Sequence, residues 1–305
     1  MGSNAIRTEG LTKRYGGVDA LSDLDLEVDK GEVVGFLGPN GAGKTTTIHL
    51  LLGLIHPTAG RAEIFGLDCH RQPVEAHRHL AYVAGEASLW PSLTGAETLH
   101  LLGRVQGRID DVYRKELIAR FDLDPSKKVR AYSKGNRQKL ALIAALMCRP
   151  DLLLLDEPTN GLDPLMEQAF RHCVQEARER GQTIFLSSHI LSEVEALCDR
   201  VGILRVGRLV EMGTLADMRH LSALTVEATF DGSVPDLSRV PGVRSVEVEG
   251  RVVRCQVHGS VAPLLKVLAS SSVHELLSRE PSLEELFLAH YGTKVESEVG
   301  AIVAS

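Results

Sequence analysis

The sequence predicts an α/β protein, a mainly parallel sheet covered by helices, followed by a smaller α+β unit. Three observations carry that prediction. Between about residues 33 and 210, short β-branched or aliphatic runs alternate with helical patterns, the rhythm of a parallel sheet whose strands are joined by crossover helices. From about residue 94 to 130 the pattern is purely helical, with Leu99, Leu102 and Val105, then Leu117, Ile118 and Phe121, at helix-compatible spacing. After about residue 220 the texture changes to short alternating segments, separated by turn-rich pieces such as Asp231-Gly232-Ser233 and Glu249-Gly250-Arg251.

Taken in order, the first clear strand is Val33-Val34-Gly35-Phe36-Leu37, and further strands are expected over residues 62–65, 81–84, 152–155, 183–187 and 201–204. Apolar on both sides, they suit a sheet buried on both faces. In the C-terminal part, strands are expected over residues 224–230, 243–248 and 252–257, and helices over 261–268 and 283–290. The expected organisation is a first domain over residues 5–220 with a helical insert at about 94–150, and an α+β accessory domain over 222–291. A loose tail follows over 293–305, where small polar residues have little to bury.

Composition narrows the possibilities. The 305 residues carry a formal net charge of −6, and Lys and Arg are spread along the chain, so nucleic acid is not an expected partner. The longest apolar runs fall far short of the roughly 18 to 20 residues of a bilayer span. The opening MGSNAIRTEG lacks the apolar core of a signal peptide, which predicts a cytoplasmic protein. Its cysteines, Cys69, Cys148, Cys173, Cys198 and Cys255, form no Cys-x-x-Cys pair, as expected of reduced structural thiols.

The chemistry is concentrated in two places. Gly38-Pro39-Asn40-Gly41-Ala42-Gly43-Lys44-Thr45-Thr46 lies between the 33–37 strand and a helix starting at Lys44. Glycines there let backbone N–H groups turn inward around phosphates, and the helix N-terminus adds positive potential. Lys44 reaches the outer phosphates and the Thr45 hydroxyl ligates magnesium, so ATP and Mg2+ are the expected ligands. The second place is Leu152-Leu153-Leu154-Leu155-Asp156-Glu157, in which aliphatics deliver two carboxylates to the carboxyl end of a strand. Successive strand residues face opposite ways, so Asp156 is free to hold the metal while Glu157 orients or deprotonates the attacking water.

The run from Asp156 through Pro158, Gly161 and Asp163 to Pro164 resembles the Walker B and D-loop of ABC-transporter nucleotide-binding domains. Tyr132-Ser133-Lys134-Gly135-Asn136-Arg137-Gln138 is similar to the signature of the same family. The resemblance covers about residues 5–215 and implies a P-loop NTPase cassette, with a RecA-like mixed sheet and a helical subdomain. It implies that Tyr15 stacks on adenine, that His189 is the switch histidine at the γ-phosphate, and that Asp163 belongs to the D-loop. Ser133, Lys134, Gly135 and Asn136 would close over the ATP of a second subunit, in a homodimer or a heterodimer with a sister cassette.

With no span of its own, the chain is expected to dock peripherally on the inner face of the membrane, against a multi-span permease on a separate chain. The cassette followed by a small α+β domain most resembles drug- and antibiotic-exporter ATPases that pair with ABC-2-type permeases, which implies export of a drug-, antibiotic- or lipid-like substrate. The alternative is a non-transport ABC ATPase acting as a switch on ribosomes or DNA; the twin cassettes or long coiled coils of such proteins are not found here. Two departures from the family stand out. Gly85 occupies the place of the glutamine that links the lobes, with Glu86 beside it as a partial substitute, and the signature carries Lys134 and Asn136 for Gly and Gln.

Overall fold

The structure is a computed structural model that describes residues 4–107, 109–220 and 224–279. It divides into two compact units, Met1–Gly213 and Thr214–Ser305.

The first unit opens with two long antiparallel strands, β1 (Asn4–Tyr15) and β2 (Val18–Asp29). The sequence reading had the first clear strand at Val33. Register shifts at several points along β1 break the alternation that would have marked it. Next come β3 (Val33–Leu37), α1 (Lys44–Leu51), β4 (Ala59–Ile64), β5 (Leu67–Asp68), α2 (Pro73–His77) and β6 (Leu80–Val83). The helical insert contains α3 (Gly95–Gln106), α4 (Asp111–Arg120) and α5 (Lys134–Leu146). The unit is completed by β7 (Leu152–Asp156), α6 (Pro164–Glu179), β8 (Thr183–Ser188), α7 (Leu191–Leu197), β9 (Arg200–Arg205) and β10 (Arg208–Thr214).

Two sheets result. One has the order β10-β9-β3-β8-β7-β6, and its strands from β9 to β6 are parallel; the other, β2-β1-β4-β5, is antiparallel. A single core joins Ile6, Leu24, Leu26 and Val28 of the antiparallel sheet to Phe36, Leu154 and Phe185 of the parallel one, with Ile48 and Leu51 of α1 among them. Burying each such aromatic or aliphatic side chain is worth about 1.5–3 kcal/mol. On the other face of the central sheet α7 comes so close to β3 that a Cβ at Gly35 would meet Val194 at 2.6 Å and Cys198 at 2.7 Å. Burial of β3, β7 and β8 at every position holds their carboxyl ends rigidly in one row.

The insert helices are set by local signals. Thr94 and Glu97 form a reciprocal capping box at the start of α3, and Asp110 caps α4. Gly107 closes α3 with φ 70°.

In the second unit α8 (Leu215–His220) precedes β11 (Leu224–Phe230), β12 (Val243–Glu249), β13 (Val252–Val257), α9 (Ala262–Ala269) and β14 (Val273–Arg279). The sheet order is β12-β13-β11-β14, and α9 covers a core of Val226, Phe230, Val253, Leu264 and Leu268. Strand β14 was not among the elements expected from the sequence. The helix expected over residues 283–290 and the tail over 293–305 lie outside the described residues. All five cysteines are buried and unpaired; burial pushes the Cys69 thiol up to about 12. No helix among the described residues is long and apolar enough to cross a membrane.

Candidate functional site

The site is assembled where β3, β7 and β8 end. The chain leaves β3 at Leu37 and wraps into α1 through a loop with Gly41 at φ 80° and Gly43 at φ 110°, conformations that favour glycine. Close packing fixes the loop: a Cβ at Gly38 would meet the Leu204 carbonyl oxygen at 2.5 Å, and one at Gly43 would meet that of Ala20 at 2.6 Å. Asn40, Gly41, Gly43, Lys44, Thr45, Thr46, Ala20 and Glu157 line a cleft of about 140 Å³. Larger cavities of about 560 and 500 Å³ lie elsewhere, but neither touches the phosphate loop.

Lys44 is 5% exposed. Its ammonium donates to the carbonyl oxygens of Gly38 at 2.6 Å and Pro39 at 3.1 Å, and lies 3.6 Å from Glu157 Oε1. Burial lowers its pKa, and the nearby Glu157 and Asp156 carboxylates pull the other way. At the end of β7, Asp156 is buried and accepts from Thr45 Oγ1 at 2.8 Å on one oxygen and from Ser187 Oγ on the other. Glu157 follows with φ 45°, an uncommon conformation for a residue with a Cβ. Its Oε1 also lies 3.2 Å from His189 Nδ1, at the exit of β8. Glu157 thus stands between the phosphate-loop cation and the histidine.

The remaining expected residues fall in several places. Ala42 is buried and anchors the loop, accepting from Gly207 N–H at 2.9 Å. Tyr15 is 49% exposed at the end of β1, with Lys13 Nζ 4.9 Å from its ring centre; it does not line the cleft. Asp163 caps α6 by accepting from Met166 N–H at 3.1 Å. Ser133 caps α5, accepting from Asn136 N–H at 3.2 Å. None of Ser133, Lys134, Gly135 and Asn136 lines the cleft of its own chain. Gly135 packs so tightly on the loop after β7 that a Cβ there would meet the Gly161 carbonyl at 2.5 Å.

Gly85 lies against the Asp156–Glu157 backbone, where a Cβ would stand 3.3 Å from the Asp156 carbonyl oxygen. The exposed Glu86 carboxylate faces Lys134 Nζ at 4.0 Å. The sequence reading missed Ala20, Ser187 and Glu193, and gave Gln138, at the end of the signature run, no role of its own. Ala20 belongs to β2, itself overlooked, and the other three act through contacts with residues distant in sequence, which no local pattern reveals.

A phosphate loop at the end of β3, two carboxylates at the end of β7 and a histidine after β8, with a helical insert between β6 and β7, define a P-loop ATPase of cassette type. A family model described as ABC transporter matches residues 21–160. A bacitracin transport ATP-binding protein of Bacillus licheniformis is 42% identical over 215 residues, 68% of this chain and 69% of the relative. A daunorubicin resistance ATP-binding protein of Streptomyces coeruleorubidus is 34% identical over 304 residues, 94% of this chain and 96% of that one. A solved ATP-binding subunit of an ABC transporter is 34% identical and superposes with a TM-score of 0.66 over 70% of this chain and 92% of its own. The chain belongs to the ABC transporter family, as an ATP-binding subunit, and is an ABC-type ATPase.

Proposed function

We propose that this ATPase powers export of a drug- or antibiotic-like compound through a multi-span permease on a separate chain, working at the inner membrane face as one half of a cassette dimer. The observation that carries the catalytic part is the position of Glu157 Oε1, 3.6 Å from Lys44 Nζ and 3.2 Å from His189 Nδ1. Lys44 and the N–H groups of residues 40–46 bind the outer phosphates of ATP. Glu157 aligns the attacking water and accepts its proton, and His189 holds the γ-phosphate end of the site.

The Thr45 hydroxyl and Asp156 carboxylate, 2.8 Å apart, are hard oxygen donors of the kind Mg2+ takes alongside water and phosphate. When bound there, the ion would neutralise charge on the phosphates. Tyr15, exposed at the end of β1, is the surface we assign to adenine.

Because Ser133, Lys134, Gly135 and Asn136 line no part of their own cleft, we assign them to the nucleotide of a second cassette. Ser133 presents the N-terminus of the 13-residue α5, positive in potential, to that anion, and Asp163 stands in the loop beside it. The contacts to the γ-phosphate favour the closed pair and hydrolysis reopens it.

Relatives named for bacitracin transport and daunorubicin resistance support export, the second of them over nearly the whole chain. A groove of about 500 Å³, in which Leu54, Val74 and Val105 stand beside His77, Arg78 and Gln106, includes the end of insert helix α3 and supports that face as the permease seat. Purification from detergent-solubilised membranes tests the proposal. A multi-span permease is expected to accompany the chain; ribosomes or DNA in its place would overturn the transport reading.

A further inference from the structure

The turn after Glu157 is gripped from two helices. Glu157 N–H reaches the carbonyl and the hydroxyl of Ser187, each at 3.1 Å, and its carbonyl accepts from Asn160 N–H at 3.1 Å. Two residues on, the buried Thr159 donates its hydroxyl to Glu193 Oε1. The other oxygen of that carboxylate accepts from Ser188 Oγ at 2.8 Å. Ser188 ends β8 and immediately precedes His189.

Glu193 sits on α7 and is 3% exposed. Leaving a buried carboxylate without partners costs several kcal/mol. A side chain kept only for packing could be aliphatic, yet both oxygens of Glu193 are spent on loops of the site and neither on its own helix. On the opposite side Gln138 of α5, 2% exposed, donates to the Pro158 carbonyl at 3.1 Å and to that of Ala84 at 3.4 Å. The left-handed conformation of Glu157 is therefore held by contacts from both directions, as a strained residue requires.

We propose that Glu193 is a positioning residue for hydrolysis: its carboxylate couples the end of β8, which carries His189, to Thr159, and so fixes the turn that aims Glu157. Movement of His189 on meeting a γ-phosphate is transmitted through Ser188 and Glu193 to the turn. The inference rests on the reading of Glu157 as the residue that aligns the attacking water.

Thr159→Val removes the donor to Glu193 while preserving shape, and Thr159→Ser retains it. In the purified full chain, Thr159→Val is expected to lower kcat by roughly tenfold or more with KM for ATP within about twofold, and Thr159→Ser to recover most of the loss. Ser188→Ala, which removes the other donor, is expected to show the same loss in kcat alone and serves should Thr159→Val fail to fold. A wild-type kcat in the variants, equal losses in the Val and Ser forms, or a parallel rise in KM would overturn the positioning role. Glu157→Gln measured alongside separates the two readings: if it is dead while Thr159→Val is active, only the positioning role fails. If Glu157→Gln turns over normally, the underlying reading of Glu157 fails.

Discussion

The Lys44 ammonium lies 3.6 Å from Glu157 Oε1 inside the phosphate loop. The cation that is to hold phosphate is thus paired with the carboxylate that is to handle the attacking water.

That pairing does not offset the burial of Lys44, whose pKa lies below lysine's ordinary 10.5 chiefly because burial disfavours the charge. The charged amine therefore costs stability while it stays protonated in the folded state. The cost is fully present below the depressed pKa and is relieved as pH rises from there towards 10.5, where the unfolded chain still binds the proton that the folded one has released. Lys44→Met is expected to weaken MgATP binding at least about tenfold, roughly 1.4 kcal/mol. It should melt no lower than wild type in nucleotide-free protein at neutral pH, with wild type gaining relative to the variant as pH is raised. Calorimetry across that range checks it; a lower melting point for the variant would contradict it.

Gly85→Gln addresses the missing glutamine. Its Cβ would sit 3.3 Å from the Asp156 carbonyl and 3.7 Å from Glu157 Cβ, so it fits if the neighbour gives a few tenths of an ångström. The added carboxamide tests whether this position can reach a metal held by Thr45 and Asp156. The expected result is folded protein whose half-saturating Mg2+ concentration for ATPase falls by about threefold, one added oxygen ligand being worth less than a full charge-assisted bond. An unchanged Mg2+ titration would show that the glutamine position has no access to the metal.

Composite sites are tested by mixing. Ser133→Glu puts a carboxylate at the N-terminus of α5 and loses part of the cap, about 1 kcal/mol, while Lys44→Met disables the phosphate loop. Each alone should be inactive. Mixed subunits that exchange freely should regain up to about a quarter of wild-type turnover, since half the dimers then hold one intact site of two. No recovery would contradict sharing of sites between subunits.

Legibility in the sequence followed the range of the interactions. Strand β3 and strands β11 and β13 were readable to the residue, because an unbroken apolar run or clean alternation leaves no competing pattern. Strands β1 and β2 were not read: the repeated register shifts along β1 hide its period, and β2 buries Leu24, Leu26 and Val28 against a sheet whose existence only the fold reveals. At the site, Lys44, Asp156, Glu157 and His189 stood out through the order of their motifs, and the structure brings them together. Glu193 reads as an ordinary helix residue and Gln138 only as the end of the signature run, since their partners Thr159 and Pro158 are 34 and 20 positions away. Tyr15 shows the opposite limit: the resemblance singles it out, while the geometry leaves it exposed on Lys13.

The most direct test of the account is the Glu157→Gln variant, compared with wild type for MgATP binding, steady-state ATPase and oligomeric state. Retained ATP binding, loss of most turnover and accumulation of an ATP-bound dimer are expected. Steady-state hydrolysis at the wild-type rate would contradict it.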